Sequence, residues 1–200
     1  IVDPVKIMAK RTVFKLYLAG ERLFQGPFTK YDFQTFSIID RFLTPDSNCI
    51  DIGANVGHVL RQIIKASPHG SHYAFEPIPM LAKRLRSKYG SHATIFDIAL
   101  SDTVGESTFM YYTDAPALSG FNERMKWEKH AVDQITVKTS RLDDIISTDC
   151  RIDLIKIDVE GAELLVLNGA TKTLQRCRPI VLFEAGLSGQ DKILSPPEQL

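Results

Sequence analysis

The chain has 200 residues and a formal net charge of zero, with 44% hydrophobic and 24% charged residues. This composition predicts one globular domain with an apolar core and excludes a disordered or fibrous chain. The 24 basic residues are balanced by 24 acidic ones, and no apolar run approaches the length of a membrane span. We therefore expect neither a nucleic-acid partner nor a membrane partner.

The first 45 residues predict an N-terminal extension that packs on a larger domain formed by residues 46–200. A β-hairpin is expected around Gly20, with apolar strands on either side of it. Aromatic and aliphatic residues then recur at helical spacing from Phe33 to Leu43, and Pro45-Asp46 ends this helix.

From Cys49 onward, short apolar strands alternate with amphipathic helices. Strands are expected at 49–54, 72–76, 93–100, 152–159 and 179–184, and helices at 57–66, 78–89 and 162–177. The alternation predicts an α/β fold with a mostly parallel sheet and helices on both faces. Residues 106–112 and 134–139 interrupt this order and predict a β-hairpin inserted between the third and fourth core strands.

A long polar segment, Thr113–Asp133, joins the two strands of the inserted hairpin. It contains Phe121, Trp127 and Arg124, side chains that stack on flat rings or bind polar groups. Segments of this length are commonly functional or disordered. The segment is therefore a candidate acceptor-binding loop, and a mobile surface loop is the alternative.

Acidic residues stand at the carboxyl end of every predicted core strand. They are Asp51, Glu76, Asp97, Asp158 and Glu184. Ligands of open α/β sheets bind in the crevice beyond these strand ends. An acidic crevice repels a phosphate-rich ligand and suits a cation or a ligand rich in hydroxyl groups.

The turn after the first strand and the end of the second strand predict a cofactor site. Gly53 and Gly57 allow the backbone to approach a ligand closely, and Asp51 and Asn55 can bind an ammonium or hydroxyl group. Glu76 lies 23 residues after Gly53, where a carboxylate can accept both hydroxyls of a ribose.

The spacing of the two glycines distinguishes between two classes of cofactor. It is G-x-x-x-G, and the G-x-G-x-x-G pattern that cradles a pyrophosphate is missing. A ligand with a ribose, an adenine and an amino acid, but no phosphate, fits this pattern, and S-adenosylmethionine is such a ligand. Asp97 and Ile98, at the end of the third strand, complete the predicted cofactor site. The alternative is that these are ordinary turn and cap residues.

Five motifs in order along the chain resemble the FkbM-type methyltransferase family. They are Asp51-Ile-Gly-Ala-Asn-Val-Gly, Phe75-Glu-Pro, Ala99-Leu-Ser-Asp, Arg141-Leu-Asp-Asp-Ile and Ile152-Asp-Leu-Ile-Lys-Ile-Asp-Val-Glu-Gly-Ala-Glu. The resemblance runs from Cys49 to Glu184 and implies a class I, Rossmann-like, S-adenosylmethionine-dependent transferase. It further implies methylation of a hydroxyl on a sugar or secondary metabolite by in-line displacement, with the acceptor itself left open.

The end of the fourth core strand supplies the candidate catalytic residues, Asp158 and Glu160. Carboxylates there can hold an acceptor hydroxyl, place negative charge near a sulfonium, or accept a proton. Lys156 is interpreted as a buried ion-pair partner, and Glu163 as an acid in the first turn of a helix. Asp158, Glu160 and Glu184 could ligate a metal, but no metal motif is present and none is assigned.

Two other functions remain open on the sequence: an NAD-dependent oxidoreductase, and a catalytically silent Rossmann-like binding domain. Three cysteines without metal-like or C-x-x-C spacing, and no visible leader, favour a cytoplasmic location. The strand at 179–184 is fully apolar, which predicts burial on both faces. The class I fold that the resemblance implies carries two further strands after this one, and we therefore expect a domain that is incomplete at its C-terminus.

Overall fold

The computed structural model describes residues 30–113, 119–120 and 131–183. The helices are α1 (Lys30–Phe42), α2 (His58–Ala66), α3 (Pro79–Tyr89), α4 (Leu142–Ile145), α5 (Glu163–Asn168) and α6 (Thr171–Cys177). The strands are β1 (Cys49–Ile52), β2 (His72–Phe75), β3 (Ala93–Phe96), β4 (Ala99–Leu100), β5 (Gly105–Tyr112), β6 (Val132–Ser140), β7 (Leu154–Ile157) and β8 (Ile180–Phe183).

Five strands form the main sheet in the order β3-β2-β1-β7-β8, and every neighbouring pair is parallel. The predicted α/β class with a mostly parallel sheet is confirmed. From β1 the chain proceeds outward through β2 and β3, whereas β7 and β8 lie on the other side of β1. The order thus reverses between β1 and β7, and such a reversal opens a crevice at the carboxyl ends of the two strands.

Alternate side chains of the central strands pack into cores on opposite faces of the sheet. Ile50 and Ile52 of β1 join a core that includes Leu142 of α4 and Val166 of α5. Cys49 of β1 instead packs with residues of α1 and α2, in the core that contains Ile39, Val59, Ile63 and Leu154. Helices therefore cover both faces, as predicted, because β1 and β7 carry apolar side chains on both sides.

The strand predicted at 93–100 is wrong as one element, because the chain leaves the main sheet after Phe96. β3 pairs with β2 in the main sheet, whereas β4 pairs in parallel with β6 in a separate sheet of order β4-β6-β5. Asp97 lies at the break, and its carboxylate binds the Arg86 guanidinium of α3 at 2.7 Å. β5 and β6 pair antiparallel over residues 105–112 and 132–139.

The single helix predicted at 162–177 is also wrong, since α5 and α6 are separate helices divided at Gly169-Ala170. Gly169 lies so close to the loop after β4 that a Cβ there would be 2.1 Å from the Ser101 carbonyl oxygen. The strand predicted at 179–184 forms as β8, but its residues are half-buried and Phe183 is exposed. Full burial of this strand is therefore not observed within the described residues.

Several sequence predictions fall outside the described residues. They are the hairpin around Gly20, the side chains of Phe121, Arg124 and Trp127, the candidate metal ligand Glu184, and any strand beyond β8. Among the helices that the structure does describe, none combines the length and apolar character needed to cross a membrane.

Candidate functional site

A cavity of about 580 Å³ opens at the carboxyl ends of β1, β2 and β7, at the reversal of strand order. Six of the nine residues predicted for the site line it: Gly53, Asn55, Glu76, Ile98, Asp158 and Glu160. The cavity therefore brings together the predicted cofactor turn and both candidate catalytic carboxylates.

Gly53 directly follows β1 and packs against Asp158, which directly follows β7. Its φ is +74°, and a Cβ at this position would be 1.8 Å from the Asp158 carbonyl oxygen. The Asp158 amide in turn donates to the Ile52 carbonyl at 3.0 Å. From the sequence, Gly53 was interpreted as a position that lets a ligand approach the backbone closely. In the structure, the contact with Asp158 already requires a glycine at this position.

Glu76 is a buried carboxylate at the end of β2, fixed by two backbone amides. Its Oε2 accepts from the Asn55 amide at 2.8 Å, and its Oε1 accepts from the Ile78 amide at 3.0 Å. Burial raises the pKa of Glu76, and the two amides oppose that shift. Since a carboxylate oxygen accepts up to two hydrogen bonds, each oxygen retains capacity for a ligand hydroxyl.

Three charged side chains form a cluster at the floor of the cavity: Asp51 is fully buried, whereas Lys156 and Asp158 line the cavity. The Lys156 ammonium lies 3.4 Å from Asp51 Oδ1 and 3.4 Å from Asp158 Oδ2. Burial raises the pKa of Asp51, and Lys156 opposes that shift. Burial acts to lower the pKa of Lys156, but Asp51 and Asp158 outweigh it and raise that pKa. The ion pair expected for Lys156 is therefore present, and Asp51 is its buried partner.

Glu160 occupies a tight turn after β7, with a φ of +54° that is unusual for a residue other than glycine. Gly120, in the segment inserted between β5 and β6, packs against this turn. A Cβ on Gly120 would be 3.4 Å from the Glu160 carbonyl oxygen, and Gly120 also bridges to Met110 of β5. Gly120 therefore links β5 to the turn that carries Glu160.

Three predicted cofactor residues do not line the cavity, and their cofactor roles remain predictions. Asp51 is completely buried beneath the floor, in the ion cluster. Gly57 is the N-cap residue before α2, and a Cβ there would be 2.7 Å from the Leu85 and Tyr89 side chains of α3. The Asp97 side chain is 57% exposed in its ion pair with Arg86.

Other wall residues carry no motif by which the sequence analysis could have found them. They are Asp32, Thr35 and Ile38 of α1, Phe109 of β5, and Ser119 of the segment between β5 and β6. Their positions depend on how α1 and the insert pack against the main sheet, which local spacing does not reveal. Glu163, by contrast, is the first residue of α5 as expected, and it accepts from the Gly161 amide at 3.1 Å.

Comparison with known proteins identifies a family for the chain. Residues 51–194 match the family model described as the methyltransferase FkbM domain. The chain is 31% identical over 183 residues to the AMB antimetabolite synthetase AmbE of Pseudomonas aeruginosa, a match that covers 70% of this chain and 8% of that protein. It is also 31% identical over 166 residues to the 2-O-methyltransferase NoeI of Sinorhizobium fredii, covering 72% of this chain and 65% of NoeI.

Among solved structures, the chain is similar to a precorrin-6y C5,15-methyltransferase from Geobacter metallireducens. The sequence identity is 16% and the TM-score is 0.45, with 82% of this chain and 66% of that chain covered. The matched segment thus spans less than two thirds of the length of AmbE and of NoeI.

Proposed function

The chain belongs to the FkbM methyltransferase family, and we propose that it methylates a hydroxyl group on a small-molecule acceptor. S-adenosylmethionine is the cofactor that this family membership implies. One observation carries the proposal: Asp158 and Glu160 line the same cavity as Glu76 and Asn55. A residue suited to a ribose and residues suited to a hydroxyl acceptor therefore line a common space.

The residues around the cavity fit S-adenosylmethionine by their chemistry. The amide-oriented carboxylate of Glu76 suits a pair of vicinal hydroxyls, and the polar Asn55 lies beside it. Part of the cavity wall is apolar and suits an adenine ring; it is formed by Phe75, Ile78 and Ile98. The volume of about 580 Å³ lies within the usual range for sites that bind small molecules.

When bound, S-adenosylmethionine supplies an electrophilic methyl group on a cationic sulfur. The role of the chain is to align the acceptor and to manage the hydroxyl proton, and alignment alone can contribute up to about 7–11 kcal/mol. We assign Asp158 to hold the acceptor hydroxyl and accept its proton, which typically adds about 10²–10⁴-fold to the rate. Glu160 is the second candidate for this role.

Methylation on oxygen is supported by the relative NoeI, whose name describes a 2-O-methyltransferase. The acidic wall of the cavity agrees with an acceptor rich in hydroxyl groups, because carboxylates accept hydrogen bonds from hydroxyls. We further propose that the segment between β5 and β6 binds the acceptor. Support comes from Ser119, which lines the cavity, and from Gly120, which packs against Glu160.

The proposed function is tested with a panel of neutral sugars and hydroxylated metabolites and methyl-labelled S-adenosylmethionine. We expect label to enter at least one acceptor as an alkali-stable ether, together with release of S-adenosylhomocysteine. Asp158→Asn should then lose most of the turnover while it still binds S-adenosylhomocysteine. Label found only in an ester or an N-methyl product would contradict hydroxyl methylation.

A further inference from the structure

We propose that Lys156 is a positioning residue, which holds the cofactor turn at Gly53 and the carboxylate of Asp158 in one fixed arrangement. In this proposal Asp51, buried behind the cavity wall, keeps the ammonium of the lining residue Lys156 in place. The inference deepens the proposed function and rests on it, since Asp158 is there the residue that meets the acceptor.

The strand register brings the charged groups together on one face of the sheet. Asp51 of β1 pairs directly with Lys156 of β7. Asp158 follows two residues later, and side chains two residues apart along an extended chain point to the same face. The three side chains therefore approach one another because of where they stand on two adjacent parallel strands.

The ammonium of Lys156 has three oxygen neighbours, one through a hydrogen bond and two through ion pairs. Asp51 Oδ1 and Asp158 Oδ2 each lie 3.4 Å away, and Lys156 donates to the Gly53 carbonyl at 3.2 Å. Asp51 lies fully inside and the Asp158 side chain is 43% exposed. Lys156 therefore connects a buried anchor to two groups at the cavity.

This arrangement does not suit Lys156 to act as a proton acceptor. All three of its neighbours are oxygen atoms, two of them from carboxylates, and this favours the charged ammonium. The two neighbouring carboxylates raise the pKa of Lys156 against the effect of burial, which agrees with the contacts. In this proposal the charged Lys156 orients the Gly53 carbonyl and the Asp158 carboxylate.

The surroundings of the pair argue that it serves the site. The core on the same face of the sheet contains the apolar side chains of Cys49, Leu154 and Ile63. A buried ion pair commonly stabilises a fold no better than apolar side chains of similar volume. The charges at Asp51 and Lys156 are therefore better explained by what lies above them, where the ends of β1 and β7 form the cavity floor.

The test compares Lys156→Met and the double variant Asp51→Asn/Lys156→Met with Arg151→Met. Arg151→Met is the matched control, because it also replaces a cation by methionine and removes an ion pair, the one with Asp153. Both residues lie before the start of β7. Amide hydrogen exchange of residues 53–57 and 158–161 is measured without ligand. Binding of S-adenosylhomocysteine is measured by calorimetry, and folding by thermal unfolding.

We expect the double variant to unfold close to the wild-type temperature, because no lone buried charge remains. Exchange in both turns should be faster than in the wild type, and S-adenosylhomocysteine affinity should fall about tenfold to a hundredfold, as for loss of a hydrogen bond to a charged group. The control should match the wild type in all three measurements.

Wild-type exchange and affinity in the double variant would overturn the proposal. So would a double variant that fails to fold, because the pair would then be structural. Full recovery of the Lys156→Met defect on adding Asp51→Asn would show that Lys156 only neutralises Asp51. A wild-type protein that does not bind S-adenosylhomocysteine would instead refute the proposed function, and the exchange measurement would still test Lys156.

Discussion

Replacing Glu76 with glutamine removes the charge of the predicted ribose anchor while keeping its length. The wild-type carboxylate accepts from the amides of Asn55 and Ile78 and has capacity for two ligand hydroxyls. A hydrogen bond to a charged group contributes about 1.5–3 kcal/mol and a neutral one about 0.5–1.5 kcal/mol. Two weakened ligand bonds together cost about 2–3 kcal/mol, or about 30- to 150-fold in affinity.

The measurement is titration calorimetry with S-adenosylhomocysteine on the wild type, Glu76→Gln and Glu106→Gln. Glu106 is an exposed acid on β5, and its variant should bind like the wild type. Fold integrity is checked by thermal unfolding, because the glutamine NH₂ group faces one of the two backbone amides. A folded Glu76→Gln protein with wild-type affinity would refute the assignment of Glu76 to the cofactor.

Acidification gives an independent test of the same carboxylate. Burial raises the pKa of Glu76, so it takes up a proton at a higher pH than an ordinary glutamate. Wild-type affinity should therefore decline on acidification before an ordinary glutamate would titrate, and Glu76→Gln should lack this component. The native state binds this proton more tightly than the unfolded chain does. The contribution of protonated Glu76 to the free energy of unfolding is therefore fully present at a pH below the ordinary pKa of glutamate. This contribution is lost as the pH rises through the raised pKa of Glu76 in the native state.

Three further predictions concern the turns and the insert. Asp158→Asn should lower kcat by about 10²-fold or more with little change in S-adenosylhomocysteine affinity, and Glu160→Gln should lower kcat less. Steady-state kinetics and calorimetry measure the two effects. A larger loss of kcat in Glu160→Gln would assign the base to Glu160. Gly53→Ala should lower the free energy of unfolding by about 3 kcal/mol or more, because its Cβ would meet the Asp158 carbonyl. The control is Gly105→Ala in the same denaturant titration: Gly105 has a φ of +153° but nothing within 4 Å of its Cβ, so this variant shows the cost of the backbone alone. An equal loss of stability in both variants would contradict this explanation. Trp127→Ala should raise the KM for the acceptor and spare cofactor binding, and wild-type kinetics would leave Trp127 without a role in acceptor binding.

The main sheet could be predicted from the sequence because its central strands carry an unambiguous local pattern. In β7, for example, every residue except Lys156 is apolar. Lys156 also illustrates how a charge inside such a run indicates a partner on the next strand, which proved to be Asp51. The strand-end carboxylates then followed from the general rule for open α/β sheets.

Features that depend on contacts between distant parts of the chain could not be predicted. The break after Phe96 and the division between α5 and α6 occur inside runs that fit one element each. The division lies where Gly169 meets Ser101, and Gly53 is required by its contact with Asp158. The cavity walls from α1 and the insert likewise depend on packing, which periodicity does not encode.

The central claim is that the cavity at the ends of β1, β2 and β7 binds S-adenosylmethionine. Its most direct test is titration calorimetry of the wild-type chain with S-adenosylmethionine and, in parallel, with NAD. The account predicts one-to-one binding of S-adenosylmethionine and no heat from NAD at the same concentrations, because the turn at Gly53 lacks the glycine pattern of a pyrophosphate site. Binding of NAD without binding of S-adenosylmethionine would contradict it.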